Sequence, residues 1–202
     1  MQLFTDAQFL SPYAMSVYVG LQVKAVPFAL KTVDLSADAQ RQSAYAAASL
    51  TQRVPLLEDG DFQLSESSAI TEYLDERLEG PALYPSALQD KARARQVQAW
   101  LRSDLLPLRA ERPTTAVFLG QKFPALTPAG QQAADKLIAA ASALLPKKAP
   151  SLFGAWCIAD VDLAMMLQRL VQHGDPVPAP LERYARAQWE HFAVKRWLQL
   201  PR

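Results

Sequence analysis

The chain changes its pattern of secondary structure at Gly80-Pro81. Before this point, short apolar segments alternate with helical patterns, and two of the segments flank Asp59-Gly60, which is typical of a β-hairpin. The pattern predicts the order β-α-β-α-β-β-α over residues 1–80. After a linker at 81–86, residues 87–202 show no strand pattern, and we expect helices only. The sequence therefore predicts one mixed unit and one all-α unit.

The charges support the same division. Residues 1–80 carry 5 basic and 11 acidic side chains, whereas residues 81–202 carry 16 basic and 9 acidic ones. The whole chain has a net charge of only +1, which argues against nucleic acid and membrane surfaces as partners. Acidic residues also interrupt the basic run from Lys91 to Arg112. We interpret that run as a solvated helix face or a subunit contact.

Composition excludes several kinds of stabilising site. The chain has 202 residues, of which half are hydrophobic, so its core is large enough without a metal or a disulfide. Cys157 is the single cysteine, and two histidines make a zinc site built by the protein improbable. The first residues lack the features of a signal peptide, and no apolar stretch is long enough for a membrane span. We expect a cytoplasmic protein without a bound metal.

Capping residues and prolines predict the ends of the helices. Ser11 is the expected N-cap of the first helix, with Pro12 at its first position, and Ser65 is the expected cap of the third. Pro107 and Pro113 must kink or end a long helix that begins at residue 87. Further helices are predicted at 128–145, where Pro146 and Pro150 break the chain, at 158–171, and as two short helices around 180–198.

Three short motifs lie next to the ends of predicted elements in the first unit. Its element order is that of a thioredoxin-like fold, but Ser11-Pro12-Tyr13 occupies the place of the Cys-x-x-Cys motif. Val54-Pro55 precedes the hairpin, and Glu66-Ser67 begins the third helix. In this order, and followed by an all-helical unit, the motifs resemble the glutathione S-transferase superfamily. The stretches RVPLL, LSESSAI, ARARQVQAWLRSDLLP and LFGAWCIAD are similar to its bacterial YfcF-like branch.

The resemblance implies that glutathione is the cosubstrate and that no cofactor is bound. A free thiol has a pKa of about 8.5, so it needs stabilisation to react as a thiolate at neutral pH. Ser11 would donate a hydrogen bond to the sulfur, aided by the positive partial charge of the helix end. The alternative interpretation of Ser11 is a plain N-cap, and Tyr13 is a competing hydroxyl donor.

The other two motifs are expected to hold the peptide. The backbone of Val54, before a cis-proline, would pair with the cysteinyl unit of glutathione like an added strand. Arg53 could bind the glycine carboxylate, with help from Gln52. Ser67 and the N-terminus of the third helix would bind the γ-glutamyl carboxylate, and Glu66 would take its ammonium group.

Each of these assignments has a structural alternative. Pro55 could be a trans proline at the start of an edge strand, and Arg53 could be a solvated side chain. The residues around Glu66 could form an ordinary capping arrangement based on Ser65.

The resemblance also places functional groups in the second unit. Cys157 stands where the superfamily usually has the Ser or Thr of a capping box with Asp160, and we interpret it as a buried apolar residue rather than a nucleophile. Asp104 or Ser103 could reach the glutathione of a partner subunit in a homodimer, in which acidic and basic units face each other. The expected walls of an electrophile pocket between the units are Phe9, Leu10, Trp100, Arg109, Arg112, Phe118 and Trp156.

The predicted activity is that of a glutathione S-transferase. The thiolate would attack a soft electrophile or the O–O bond of a hydroperoxide, as in detoxification or oxidative stress. The alternatives are a non-catalytic interaction protein on the same fold and a glutathione-dependent isomerase or dehalogenase. A disulfide-exchange enzyme is disfavoured because serine, not cysteine, stands at position 11.

Overall fold

A computed structural model describes residues 1–145 and 149–202, which pack as two units. Residues Met1–Leu83 and Ala193–Arg202 form the first unit, and Tyr84–Phe192 form the second. The predicted boundary near residue 80 is close to this division. The return of the last ten residues to the first unit was not predicted.

A four-stranded sheet forms the centre of the first unit, with the strand order β2-β1-β3-β4. The strands are β1 (Gln2–Asp6), β2 (Ala29–Val33), β3 (Leu56–Asp59) and β4 (Phe62–Ser65). β1 pairs in parallel with β2 and antiparallel with β3, which forms the predicted hairpin with β4. Gly60 has a φ of 62° in the hairpin turn, a conformation that glycine adopts without steric cost.

Three α-helices complete the predicted β-α-β-α-β-β-α order of the first unit. They are α1 (Pro12–Val23), α2 (Ser43–Ala48) and α3 (Ser67–Arg77). The fold is therefore thioredoxin-like, as predicted. The alanine-rich segment 36–50 forms only the short α2 and a 3-10 turn at Ala39–Arg41.

The last residues of the chain complete the core of the first unit. Trp197 is fully buried, and its ring packs edge-on against Phe9 and Tyr18, with centroid separations of 5.9 and 5.3 Å. Phe9 and Tyr18 lie 188 and 179 positions before Trp197, so a local sequence pattern cannot reveal the contact. The core of this unit is thus built from both ends of the sequence.

The described residues of the second unit form helices and one isolated bridge between Phe153 and Ala155. Every residue of Ile158–Val171 is buried, so this segment is the predicted core helix. None of the helices in the described parts of the chain is long and apolar enough to cross a membrane. The helices that follow α3 are α4 (Leu88–Ser103), α5 (Leu106–Glu111), α6 (Thr114–Phe118), α7 (Pro128–Leu144), α8 (Ile158–Val171), α9 (Ala179–Trp189) and α10 (Phe192–Leu198).

The prolines act largely as predicted. α4 ends at Ser103, and the chain turns through Leu105, which has a φ of 60°, before Pro107 enters the first turn of α5. Pro113 precedes α6 as its N-cap residue. Pro146, which was predicted to break the chain, lies outside the described residues.

Candidate active site

Ser11 is the N-cap of α1, and Pro12 is the first helical residue. The Oγ of Ser11 accepts a hydrogen bond from the backbone N–H of Ala14 at 3.2 Å, which confirms the predicted cap. This bond uses an oxygen lone pair, so the hydroxyl hydrogen can still be donated to an anion. Capping and thiolate stabilisation are therefore compatible uses of the same side chain.

Asp6, the last residue of β1, holds the loop that carries Ser11. Its carboxylate oxygens accept the backbone N–H of Leu10 at 2.7 Å and that of Ser11 at 2.9 Å. Thr5 Oγ1 donates to the same carboxylate at 3.1 Å, and both Thr5 and Asp6 are buried. The sequence analysis did not identify Asp6. Its signal is an acid at the end of a short apolar strand and shortly before a helix N-cap, where Asp commonly binds backbone N–H groups.

Phe9 belongs to the core of the first unit rather than to the pocket wall predicted for it. Its φ is 53°, and its ring is buried against Trp197. Leu10 and Tyr13 are partly exposed on either side of Ser11. Tyr13 lies in the first turn of α1 and remains the alternative hydroxyl donor.

The peptide bond between Val54 and Pro55 is cis, as the family resemblance implies. Val54 lies two residues before the first residue of β3 and is partly exposed. The side chains of Gln52 and Arg53 are exposed, and Gln52 has a φ of 51°. The segment before β3 thus presents polar side chains to solvent.

Two hydroxyl groups hold the segment before the cis-proline. Tyr45 Oη donates a hydrogen bond to the carbonyl oxygen of Arg53 at 2.9 Å, and Ser49 Oγ donates to the same oxygen at 3.3 Å. The ring of Tyr45 packs edge-on against Phe4 of β1. Burial raises the pKa of Tyr45 to about 12, so the phenol stays protonated and remains a donor at neutral pH. These contacts tie the segment to α2 and to the sheet.

Glu66 is the N-cap residue of α3, where Ser65 was predicted. Ser65 instead pairs with Leu56 as the last residue of β4, so its backbone cannot adopt the cap position. Glu66 is exposed, has a φ of 73°, and makes no capping hydrogen bond with its side chain. Ser67, the first helical residue, is 3% exposed. The backbone N–H groups at this helix end are thus not capped by the N-cap side chain, which suits them to an anionic ligand.

The register of the sheet brings the three motifs to one end of it. Phe4 pairs with Leu56, and Leu56 pairs in turn with Ser65. The end of β1, the beginning of β3 and the end of β4 therefore lie side by side. Because Ser11, Val54 and Glu66 follow or precede these strand ends closely, they are gathered at the same edge of the first unit.

Asp104 in the second unit is engaged by groups of its own unit. It forms an ion pair with Lys136, accepts a hydrogen bond from Trp100 Nε1 at 2.9 Å, and accepts the N–H of Leu105 at 2.7 Å. The bond from Lys136, then those from Leu105 and Trp100, lower the pKa of Asp104 to about 2. Asp104 and Trp100 thus hold the turn after α4, a role that the sequence did not predict for them.

The predicted arginines of the electrophile pocket also make internal contacts. Arg112 is 1% exposed and forms an ion pair with Asp175, so it is a buried structural residue. Arg109 is partly buried, and its Nη1 donates to the carbonyl oxygen of Arg102 at 3.1 Å. Phe118 at the end of α6 is partly exposed. The predicted role of Arg112 as a wall of the electrophile pocket is therefore not supported by its burial and its ion pair.

Both histidines of the second unit pack against an aromatic residue, and one of these residues is Trp156, which was predicted as a wall of the electrophile pocket. Trp156 stacks on His191 with ring centroids 4.5 Å apart and an angle of 6° between the planes. His173 Nδ1 lies 3.0 Å from Asp175 Oδ2, and His173 Nε2 accepts the N–H of Phe123 at 3.0 Å. Both histidines thus serve packing within the second unit.

Cys157 begins the core helix α8 and is 1% exposed. It forms a capping box with Asp160, whose Oδ2 accepts the Cys157 N–H at 2.9 Å. Burial, and then the charge of Asp160, raise the pKa of the thiol far above its usual range. A nucleophilic role for Cys157 is disfavoured on these grounds. Within the ranges 1–145 and 149–202, no cluster of three or more His, Cys, Asp or Glu side chains could hold a metal ion.

Each of the two units matches a model of a known protein family. The family model "Glutathione S-transferase, C-terminal domain" matches residues 87–202, and "Glutathione S-transferase, N-terminal domain" matches residues 9–82. The chain belongs to the glutathione S-transferase superfamily. Human glutathione S-transferase theta-1 is 35% identical over 126 residues, which are 60% of this chain and 52% of that protein. Mouse theta-3 is 34% identical over 129 residues, 61% of this chain and 53% of that one, so the match spans about half the length of these transferases.

Solved glutathione S-transferase structures share the fold over nearly the whole chain. A glutathione transferase homolog from Burkholderia gl BGR1, solved with bound glutathione, is 42% identical with a TM-score of 0.81, covering 98% of this chain and 95% of that one. Human T1-1 is 29% identical with a TM-score of 0.73, covering 98% and 86%. A bacterial zeta-class maleyl pyruvate isomerase is 26% identical with a TM-score of 0.77, covering 98% and 96%.

Proposed function

We propose that this protein is a glutathione S-transferase that binds glutathione at the sheet end carrying Ser11, Val54 and Glu66. The observation that carries the proposal is the Phe4–Leu56–Ser65 register, which gathers the three motifs in one place. The Burkholderia relative with bound glutathione supports the choice of peptide, since it is similar to this chain over almost its entire length.

Ser11 is the proposed catalytic residue. Its hydroxyl donates a hydrogen bond to the glutathione sulfur, and the N-terminus of α1 adds a favourable partial charge. Together these effects would lower the thiol pKa by about one to two units, each unit being worth about 1.36 kcal/mol. A bound thiolate then forms a large part of the population at neutral pH.

The peptide itself is held by the other two motifs. Val54 offers its backbone to the cysteinyl unit, and the exposed Arg53 binds the glycine carboxylate with Gln52 nearby. The start of α3, which the Glu66 side chain does not cap, binds the γ-glutamyl carboxylate together with Ser67, while the Glu66 carboxylate takes the ammonium group. The pairing of opposite charges at both ends of the tripeptide fixes its direction.

The proposed reaction is nucleophilic attack by the glutathione thiolate. With a carbon electrophile, an S–C bond forms and the leaving group departs with its electron pair. With a hydroperoxide, the sulfur takes the terminal oxygen and releases an alcohol, and a second glutathione then gives the disulfide and water. A glutathione-dependent isomerase is the second candidate, favoured by the likeness to the zeta-class isomerase.

We further propose that the protein forms a homodimer and that it belongs to the YfcF-like branch. Because Lys195, Arg196 and Arg202 return to the first unit, its net charge is −3 (8 basic, 11 acidic), and that of the second unit is +4 (13 basic, 9 acidic). The residual opposite charges still favour contact between unlike units of two subunits. Leu50 is 93% exposed just before the Arg53 segment, which suits it to burial in such a contact. Sedimentation of the wild type and of Leu50→Asp tests this proposal, since a monomeric wild type at micromolar concentration contradicts it.

Titration of the bound glutathione thiol tests the proposed activity. We expect Ser11→Ala to raise the pKa of the bound thiol by about one unit or more and to lower kcat at neutral pH about tenfold. Thr127→Ala is the matched control, because Thr127 Oγ1 caps α7 by accepting the Gly130 N–H at the same distance of 3.2 Å. A wild type that does not bind glutathione would contradict the proposal, and an unchanged thiol pKa in Ser11→Ala would move the catalytic role to Tyr13 or to the helix end.

A further inference from the structure

Asp6 is a buried acid beside the candidate site that has no part in the binding scheme above. We infer that Asp6 is a positioning residue, which fixes Ser11 at the place where its hydroxyl meets the glutathione sulfur. The inference rests on the proposed function and adds a residue to it.

The carboxylate of Asp6 spans the loop between β1 and α1. One oxygen accepts the N–H of Leu10, and the other accepts the N–H of Ser11, at 2.7 and 2.9 Å. The loop is held a third time by the Phe9 N–H, which donates to the carbonyl oxygen of Asp6 at 3.1 Å. The ring of Phe9 is packed against Trp197 and anchors the loop as far as Phe9, whereas the N–H groups of Leu10 and Ser11 are held by the Asp6 carboxylate. Ser11 therefore depends on Asp6 for its place at the helix start.

This arrangement requires a side chain in which both terminal atoms accept hydrogen bonds. In Asp6→Asn, one N–H of the loop would still meet an oxygen, but the other would face the Nδ2 group, which is itself a donor. One partly buried backbone N–H would lose its acceptor, which displaces Leu10 and Ser11 or leaves them mobile. The side-chain volume hardly changes, so packing is preserved.

The charge of Asp6 by itself would act in the opposite direction. A negative charge near the glutathione sulfur disfavours a thiolate, so its removal should lower the thiol pKa. Arg202 of the same unit interacts with this charge, which raises the pKa of Arg202 against the larger, lowering effect of burial. A positioning role predicts a higher thiol pKa in Asp6→Asn, whereas a role through charge alone predicts a lower one. The sign of the shift distinguishes the two.

The decisive experiment measures the pKa of the bound glutathione thiol by thiolate absorbance, together with kcat and KM. In Asp6→Asn we expect a rise of about half to one unit, a three- to tenfold lower kcat at neutral pH, and a smaller change in the KM for glutathione. In the Ser11→Ala background, Asp6→Asn should give no further rise, because its effect acts through Ser11. An unchanged or lower thiol pKa in the single variant, or additive rises in the double variant, overturns the inference.

Asp75→Asn is the matched control. Asp75 is a largely buried acid of the first unit, with its side chain 12% exposed, and it likewise accepts a backbone N–H, that of Leu83 at 2.7 Å, and pairs with Lys24 at 3.0 Å. Lys24 directly follows the 12-residue α1, so it lies about 20 Å from Ser11 along the helix. We expect Asp75→Asn to lose stability but to keep the thiol pKa of the wild type.

A milder variant keeps the test decisive if Asp6→Asn does not fold. Thr5→Val removes only the hydroxyl that donates to Asp6 Oδ1, the oxygen that also receives the Ser11 N–H. We expect a rise in the thiol pKa in the same direction but smaller, and an unchanged pKa contradicts the positioning role. Failure of the wild type to bind glutathione would overturn the proposed function and this inference together. If the wild type binds glutathione normally but the variant leaves the pKa of the bound thiol unchanged, only the inference is overturned.

Discussion

Arg112 and Asp175 form a bidentate ion pair in the second unit, with Arg112 Nε donating to Oδ2 at 2.7 Å and Nη2 donating to Oδ1 at 2.9 Å. Their side chains are 1% and 15% exposed. Arg112 Nη1 also donates to the carbonyl oxygens of Glu111 and Pro124. The guanidinium thus ties α5 to the segment after α6 and to the segment after α8.

This ion pair should make stability depend on pH. Burial alone would raise the pKa of Asp175, but the hydrogen bonds and charge of Arg112, with a contribution from His173, bring it below its ordinary value. A depressed folded-state pKa adds stability above the unfolded pKa of about 3.9 and loses it as the pH falls through the folded value. We expect Asp175→Asn to cost about 3 kcal/mol at pH 7 and clearly less below pH 4. Urea unfolding at both pH values measures this, with the exposed Asp135→Asn as control; an equal loss at both pH values contradicts it.

Glu66 should trade stability for ligand binding. Its φ of 73° is unfavourable for any residue with a side chain, so Glu66→Gly should leave the protein as stable or up to about 1 kcal/mol more stable. The same change removes the carboxylate that we propose for the glutathione ammonium group. We therefore expect a higher Kd for glutathione, measured by calorimetry. Glu66→Gln separates the effects, since it should weaken binding without any gain in stability; tighter binding by either variant would count against the assignment.

Tyr45 should affect the binding of glutathione through the Arg53 carbonyl. Tyr45→Phe removes the hydrogen bond of 2.9 Å that holds the segment before the cis-proline. A hydrogen bond of this kind contributes about 1 kcal/mol, so we expect the KM for glutathione to rise about fivefold with little change in kcat. Tyr73→Phe, which removes a phenol bond of 2.8 Å to Asp59 in the hairpin, is the control and should leave KM unchanged. Equal effects of the two variants would show that the phenols act only through stability.

Cys157 should be inert in the folded protein. Its thiol is buried, and its pKa is raised far above the usual range, so little thiolate is present at neutral pH. We expect iodoacetamide and glutathione disulfide to leave the native protein unmodified and to modify it after unfolding in urea. Mass spectrometry of the intact protein measures both states. Rapid modification of the native protein would disprove the burial of this thiol.

Local patterns in the sequence predicted the elements well, because helix caps, prolines and the hairpin signal act over a few residues. The core helix at 158–171 and the cap at Ser11 agree with the structure. Ser65 failed as a cap because its pairing with Leu56 in the sheet outweighs a local capping preference.

Contacts between distant residues explain the remaining differences. Arg112 was expected near a substrate because nothing around it in sequence shows Asp175, 63 positions away. Trp197 likewise gives no local sign that it packs against Phe9. The site motifs were predictable through their order along the chain, whereas the group that holds Ser11 in place required the loop geometry.

The burial of Trp197 in the first unit has a consequence for biosynthesis. The residues that complete the core around Phe9 and Tyr18 leave the ribosome more than a hundred residues after Leu83, the end of the first segment of that unit. At a synthesis rate of about 5–20 residues per second, the nascent sheet waits for several seconds or longer with part of its apolar surface uncovered. During that interval, we expect the half-made protein to be more prone to aggregation than the finished one.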